Sequence, residues 1–115
     1  MRVNEKKKLR VYIAGPLSIG NTLKHISKAI RLGDRVLGAG HTPFIPHLNT
    51  IWEIVSNRPG SEFLAWDLEW LGLCDVLIRI PGESIGADRE VSEAKKLKIP
   101  VVSPEEFFKT YGKKR

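Results

Sequence analysis

Four short apolar runs punctuate the chain, each closed by proline or glycine: Leu9–Ala14 before Gly15-Pro16, His41–Ile45 before Pro46, Asp75–Ile80 before Pro81-Gly82, and Pro100–Ser103 before Pro104. Their apolar residues are consecutive more than alternating, which predicts strands covered on both faces. Pro43 lacks an N–H for a sheet ladder, so the second run is expected at an edge or a strand start. Between the runs the apolar spacing turns helical. Leu23, Ile26, Ile30, Val36 and Leu37 predict a first helix, capped by Asn21 or Thr22 and ended by Gly38 and Gly40. Leu48–Val55 predicts a short helix carrying Trp52. Asn57-Arg58-Pro59-Gly60 reads as a turn and the best candidate for a mobile flap. A helix follows from Ser61, with Phe63, Leu64, Trp66, Trp70 and Leu71 as its apolar positions; Ala87–Leu97 and Pro104–Tyr111 complete the set.

Strands alternating with helices imply a parallel sheet joined by right-handed crossovers. The expectation is one α/β domain over residues 1–115, flavodoxin- or Rossmann-like, with four to five strands in the order 2-1-3-4-5 and helices on both faces. In that topology ligands bind at the carboxyl ends of strands one and three. Those ends are the Gly15-Pro16-Leu17-Ser18 turn and the loop from Pro81 to Asp88.

The net charge of +6 changes this picture little, because its placement argues against a nucleic-acid partner. Nine basic residues lie in the two ends; residues 11–108 hold ten basic against twelve acidic side chains. The tails, 1–8 and 112–115, are expected to be flexible and solvating. No apolar run approaches the roughly 18–20 residues a membrane span needs, and no apolar leader follows the basic start, so a cytoplasmic location is expected. Cys74 is the only cysteine; it forms no internal disulfide and is expected to be buried and inert. His25, His41 and His47 do not have metal-ligand spacing, so neither metal nor cofactor is expected.

The stretch richest in chemistry runs from Asp67 to Glu90, DLEWLGLCDVLIRIPGESIGADRE. An acidic helix, a strand, a glycine-containing loop and a new helix follow one another, an order that sets two distant carboxylates beside one crevice. Paired carboxylates are what glycosidic bond cleavage needs. The plain alternative is that Asp67 caps a helix and Glu90 is a solvated charge. Asp88 is the expected N-cap and Glu90 is expected in the first helical turn, where the dipole favours its ionised form. Ser84 offers a hydroxyl, and Gly86 a close backbone approach. Tyr12, near the end of the first strand, has a hydroxyl that can reach the crevice. His47 and Asn49 follow Pro46 into the same region, and Trp52 is a candidate lid over a base.

Taken together these segments resemble the nucleoside 2-deoxyribosyltransferase superfamily, especially its 2′-deoxynucleoside 5′-phosphate N-hydrolase branch. The resemblance rests on YIAGP at 12–16, DLEWL and CDVLI at 67–78, and SxGxxxE at 84–90 with Ala94 after it. It implies that Glu90 attacks C1′ and holds the sugar covalently, that Asp67 helps protonate the leaving base, and that Tyr12 orients Glu90. With the residue readings above, the expected substrate contacts are Gly15, Pro16, Ser18, His47, Trp52, Ser84 and Gly86. Ser84 matches the serine of the phosphate-using hydrolases, which implies a nucleoside 5′-monophosphate substrate. The hydrolases continue the first loop with a serine and an arginine that hold phosphate; here those places read Pro16 and Ser18. Arg79, Arg89 or a neighbouring subunit would have to supply the cation, and a homodimer or higher homo-oligomer is the implied assembly. Three alternatives stand beside this: base-to-base transfer on free nucleosides; a phosphoribohydrolase with a PGGxGTxxE loop, which Pro81–Glu90 echoes imperfectly; and a non-catalytic nucleotide-binding module.

Overall fold

The computed structural model describes residues 7–112. Strand β1 (Arg10–Ala14) leads to α1 (Thr22–Gly38), then β2 (Thr42–Phe44), a 3₁₀ turn (Pro46–Leu48), α2 (Asn49–Val55), α3 (Gly60–Leu71), β3 (Val76–Arg79), α4 (Ile85–Lys96), β4 (Val101–Val102) and α5 (Pro104–Tyr111). The strands form one parallel sheet in the order β2-β1-β3-β4. Four strands are present among the described residues, the lower of the two numbers expected. The basic residues Arg2, Lys6, Lys113, Lys114 and Arg115, which carried most of the expectation of flexible tails, lie outside the described residues.

Alternation along the central strands feeds two cores. Val11 and Ile13 of β1 join Val76 and Ile78 of β3 under α1 and α5, with Phe107 fully buried among them. Tyr12 and Ala14 point the other way with Leu77, against Leu71 of α3 and Ala87 and Ala94 of α4. Both faces are therefore covered, which is why the strand runs are apolar throughout. Pro43 sits in edge strand β2, where a missing N–H costs no ladder bond.

Asn21 caps α1, its side chain accepting from the Lys24 N–H at 3.0 Å. At α4 the structure corrects the expected start. Ser84, with an extended backbone, is the N-cap, and its hydroxyl oxygen accepts from the Ala87 N–H at 3.0 Å. Asp88 lies inside the first turn, its N–H donating to the Ser84 carbonyl at 3.0 Å, and its carboxylate pairs with Arg79 at 2.8 Å. The helix thus begins at Ile85, two residues early, and Glu90 falls in its second turn, away from the first-turn dipole invoked for it.

The two central strands are tied at both ends. At one end Asp75 exchanges bonds with Arg10: its N–H donates to the Arg10 carbonyl at 2.8 Å and its carboxylate accepts from the Arg10 N–H at 2.8 Å. At the other the Ile80 N–H donates to the Ala14 carbonyl at 2.7 Å. Beyond that bond the two loops interlock. A Cβ on Gly15 would lie 2.8 Å from Ile80 Cβ, and one on Gly82 would lie 2.6 Å from Pro16 Cγ. Gly82 also has φ of +128°, which side-chain-bearing residues rarely adopt.

Gly82→Ala is therefore expected to destabilise the protein by about 1–3 kcal/mol. Gly86→Ala, where an added Cβ meets nothing within 4 Å in the first turn of α4, is expected to be neutral or to stabilise by up to about 1 kcal/mol. Urea midpoints of the two variants against the parent check both; equal midpoints would contradict the interlock.

Candidate active site

A crevice of about 310 Å³ opens above the carboxyl ends of β1 and β3. The chain departs in opposite directions across the sheet on either side of that junction, so no crossover fills the gap. The first loop contributes Gly15, Leu17, Ser18 and Ile19; the second contributes Glu83, Ser84, Ile85, Gly86 and Ala87. Pro46, His47 and Glu53 come from the segment after β2, and Gly60, Leu64 and Asp67 from α3. Those three α3 residues are spaced i, i+4, i+7, one face of a helix. Glu90 closes the set from α4.

Asp67 and Glu90, 23 positions apart in sequence, thus line one crevice, and both are nearly buried, at 8% and 7% exposure. Neither plain alternative survives: Asp67 lies inside α3 and not at its cap, and Glu90 is not solvated. Beneath Glu90 the wholly buried Tyr12 donates from Oη to Glu90 Oε2 at 2.5 Å. Burial raises the Glu90 carboxyl to about 7, and the neighbouring Asp67 carboxylate adds to the rise against the opposing Tyr12 bond and the Arg79 charge. Burial likewise raises Asp67 to about 7, with Asn49 lowering it and Glu53 raising it. Tyr12 is driven far above the ordinary phenol range by burial and by Glu90, so it stays a protonated donor. One of two acids can carry a proton at neutral pH while the other is ionised, the division of labour acid–base chemistry requires.

His47 is 4% exposed. Its Nε2 faces the Pro16 carbonyl at 3.1 Å, which requires the proton on Nε2. Nδ1 is then an acceptor, buried and without a partner among the described residues. Burial lowers the His47 pKa and keeps the ring neutral.

Several expected contacts fall elsewhere. Pro16 does not line the crevice: its carbonyl holds His47 and its ring abuts Gly82. Trp52, expected over a bound base, packs edge-on against Phe63 and Trp66 at 5.0 and 5.3 Å between centroids, bordering a separate hollow. Arg79 cannot serve as a phosphate cation, because its guanidinium donates to the Ile80 and Gly82 carbonyls at 2.6 and 3.0 Å and pairs with Asp88. Arg89 is exposed and outside the crevice. Sequence reasoning missed Glu53, Leu64 and Glu83. Leu64 was accessible through its helical spacing from Asp67; Glu53 shares with Asn49 an i, i+4 face of α2. Four carboxyl groups and no lysine or arginine among the described residues line the crevice. Cys74 is half-buried and not buried as expected; burial pushes its thiol up to about 11, and its Sγ donates to the Trp70 carbonyl at 3.4 Å. No helix of the described residues is long and apolar enough to cross a membrane.

Residues 9–103 match the family model described as "Domain of unknown function (DUF7768)". Among solved structures the fold aligns with a 2-deoxyribosyltransferase from the psychrotolerant bacterium Bacillus psychrosaccharolyticus, described as a suitable biocatalyst for the industrial synthesis of antiviral and antitumoral nucleosides. The TM-score is 0.63 at 28% identity, covering 83% of this chain and 72% of the other. No curated protein matches the chain.

The raised carboxyls set a pH dependence of folding. Asp67 and Glu90 bind protons more tightly in the fold than at their ordinary 3.8 and 4.5, so their contribution is fully present below about pH 4 and is lost as pH rises through about 7. The Asp67→Asn, Glu90→Gln double variant should abolish that decline. Urea midpoints measured from pH 4 to 8 check it; parallel curves for parent and variant would contradict it.

Proposed function

The chain belongs to the DUF7768 family, whose description assigns no activity, and from that premise we propose that its crevice breaks the N-glycosidic bond of a nucleoside-type substrate through a glycosyl–Glu90 intermediate. One observation carries the reading: two buried carboxyls of near-neutral pKa meet at one crevice, and the deeper one is held by a tyrosine that cannot give up its proton. Likeness to a deoxyribosyltransferase at 28% identity supports the same chemistry; fold alone would not.

In the first step ionised Glu90 forms a bond to C1′ while the C1′–N bond breaks, its electron pair going to the base. The proton of neutral Asp67 moves to that base as charge develops on it. Tyr12 fixes the free oxygen of Glu90 by holding the other. In the second step water, or a nitrogen of a second base, attacks C1′ and releases Glu90; the now ionised Asp67 takes the proton that the nucleophile loses.

Ser84 and the start of α4 favour a 5′-monophosphate, as the hydrolase resemblance implies. The charge of the crevice favours an uncharged sugar. A dianionic phosphate would enter a site with four carboxyl groups and no described lysine or arginine, and Arg79 is already engaged. Free 2′-deoxynucleosides are therefore the substrates proposed, with transfer to a second base or to water.

The test is chromatography for free base after incubation with a panel of nucleosides and their 5′-monophosphates, with and without an acceptor base. Free 2′-deoxynucleosides should react fastest, and Glu90→Gln, still folded, should lose activity at least about a thousandfold. No base release from any member of the panel, or full activity in the variant, would overturn the reading. Faster turnover of monophosphates would restore the phosphate version.

A further inference from the structure

Asn49, the first residue of α2, reaches across to α3, where its Nδ2 donates a hydrogen bond of 2.8 Å to Asp67 Oδ1. Among the described residues it is the one side-chain hydrogen bond between α2 and another element. An amide nitrogen can only donate, so Oδ1 accepts, and a neutral carboxyl accepts best at its carbonyl oxygen, which favours the proton on the other oxygen. In neutral Asp67 that other oxygen is Oδ2. That oxygen has no protein partner among the described residues, and Asp67 lines the crevice.

We infer that Asn49 is the positioning residue of Asp67: by occupying Oδ1 it directs the carboxyl's one proton onto Oδ2, toward the group held in the crevice. The glycosidic reading is needed only to name that group as the departing base. The other groups around Asp67 do not perform this task. Glu53 on α2 and Glu90 on α4 are acids that repel its charge, Tyr12 of β1 donates to Glu90, and His47 donates to Pro16. Asn49 is outside both core clusters, and α2 buries no residue. Its substitution therefore spares the packing that holds the fold.

The ionised form of Asp67 loses a hydrogen bond in Asn49→Leu, so its titration midpoint should rise by about one pH unit and return toward the parent value in Asn49→Gln, which keeps an amide donor. Carbon-13 carboxyl NMR of the full chain reads this directly, whatever the enzyme does. With a 2′-deoxynucleoside, kcat should fall about tenfold in Asn49→Leu with KM within about twofold, and the alkaline limb of the rate profile should move up with the midpoint. A purely structural role would lower the active fraction and leave the limb in place. An Asp67 midpoint unmoved in Asn49→Leu overturns the inference. If the parent protein releases no base, the glycosidic reading fails and the midpoint still decides this one. Asn49→Ala carries the same readout should the leucine variant not fold.

Discussion

The junction between β1 and β3 is the constraint on which the rest depends. Their ladder ends with Ile80 bonded to Ala14, and just past it Gly15 meets Ile80 and Gly82 meets Pro16 at distances that admit no Cβ. Two loops cannot be brought that close without fixing each other. The junction therefore decides where Ser18 and Ser84 stand, and Ser84 in turn decides where α4 begins and so where Glu90 points. Arg79 binds the same corner from behind by bridging loop carbonyls to Asp88, which removes it from any ligand.

Against that rigid junction the crevice accepts an electrostatic cost. Two carboxyls are buried with no ion pair to either among the described residues, and desolvation outweighs the single hydrogen bond each receives and the Arg79 charge near Glu90. A protein selected for stability alone would not place them so. Buried, coupled acids with shifted ionisation are a mark of chemistry, although structural networks can also produce them. Here Tyr12 and Asn49 each engage one oxygen of one acid, and the second oxygen of each has no protein partner among the described residues, which is the arrangement the proposed chemistry uses.

Much of the architecture was legible in the chain. The apolar runs closed by Gly-Pro and Pro-Gly marked the strands, helical spacing marked α1 and α3, and the meeting of Asp67 and Glu90 at one crevice followed from strand order, while Tyr12 lies buried beneath Glu90 and not at the crevice wall. The errors came where a side chain had more than one possible partner. Asp88 looked like a helix cap; it lies inside the first turn and pairs with Arg79 instead. Trp52 looked like a lid, and Phe63 and Trp66 drew its ring to another hollow. Glu53 and Glu83 come from separate elements, so their sum, a crevice without a described basic side chain, could not be added up along the sequence.

The sequence by itself determined the succession of elements, the two-sided burial of the sheet and which residues are candidates for chemistry. These depend on local dihedral preference and on apolar periodicity, which are properties of neighbours in the chain. Only the tertiary structure decided which oxygen of each acid is engaged, that burial raises the pKa of both acids, and that four carboxyl groups and no described lysine or arginine line the crevice. Desolvation and Coulomb interaction depend on separation in space, and the residues responsible lie tens of positions apart.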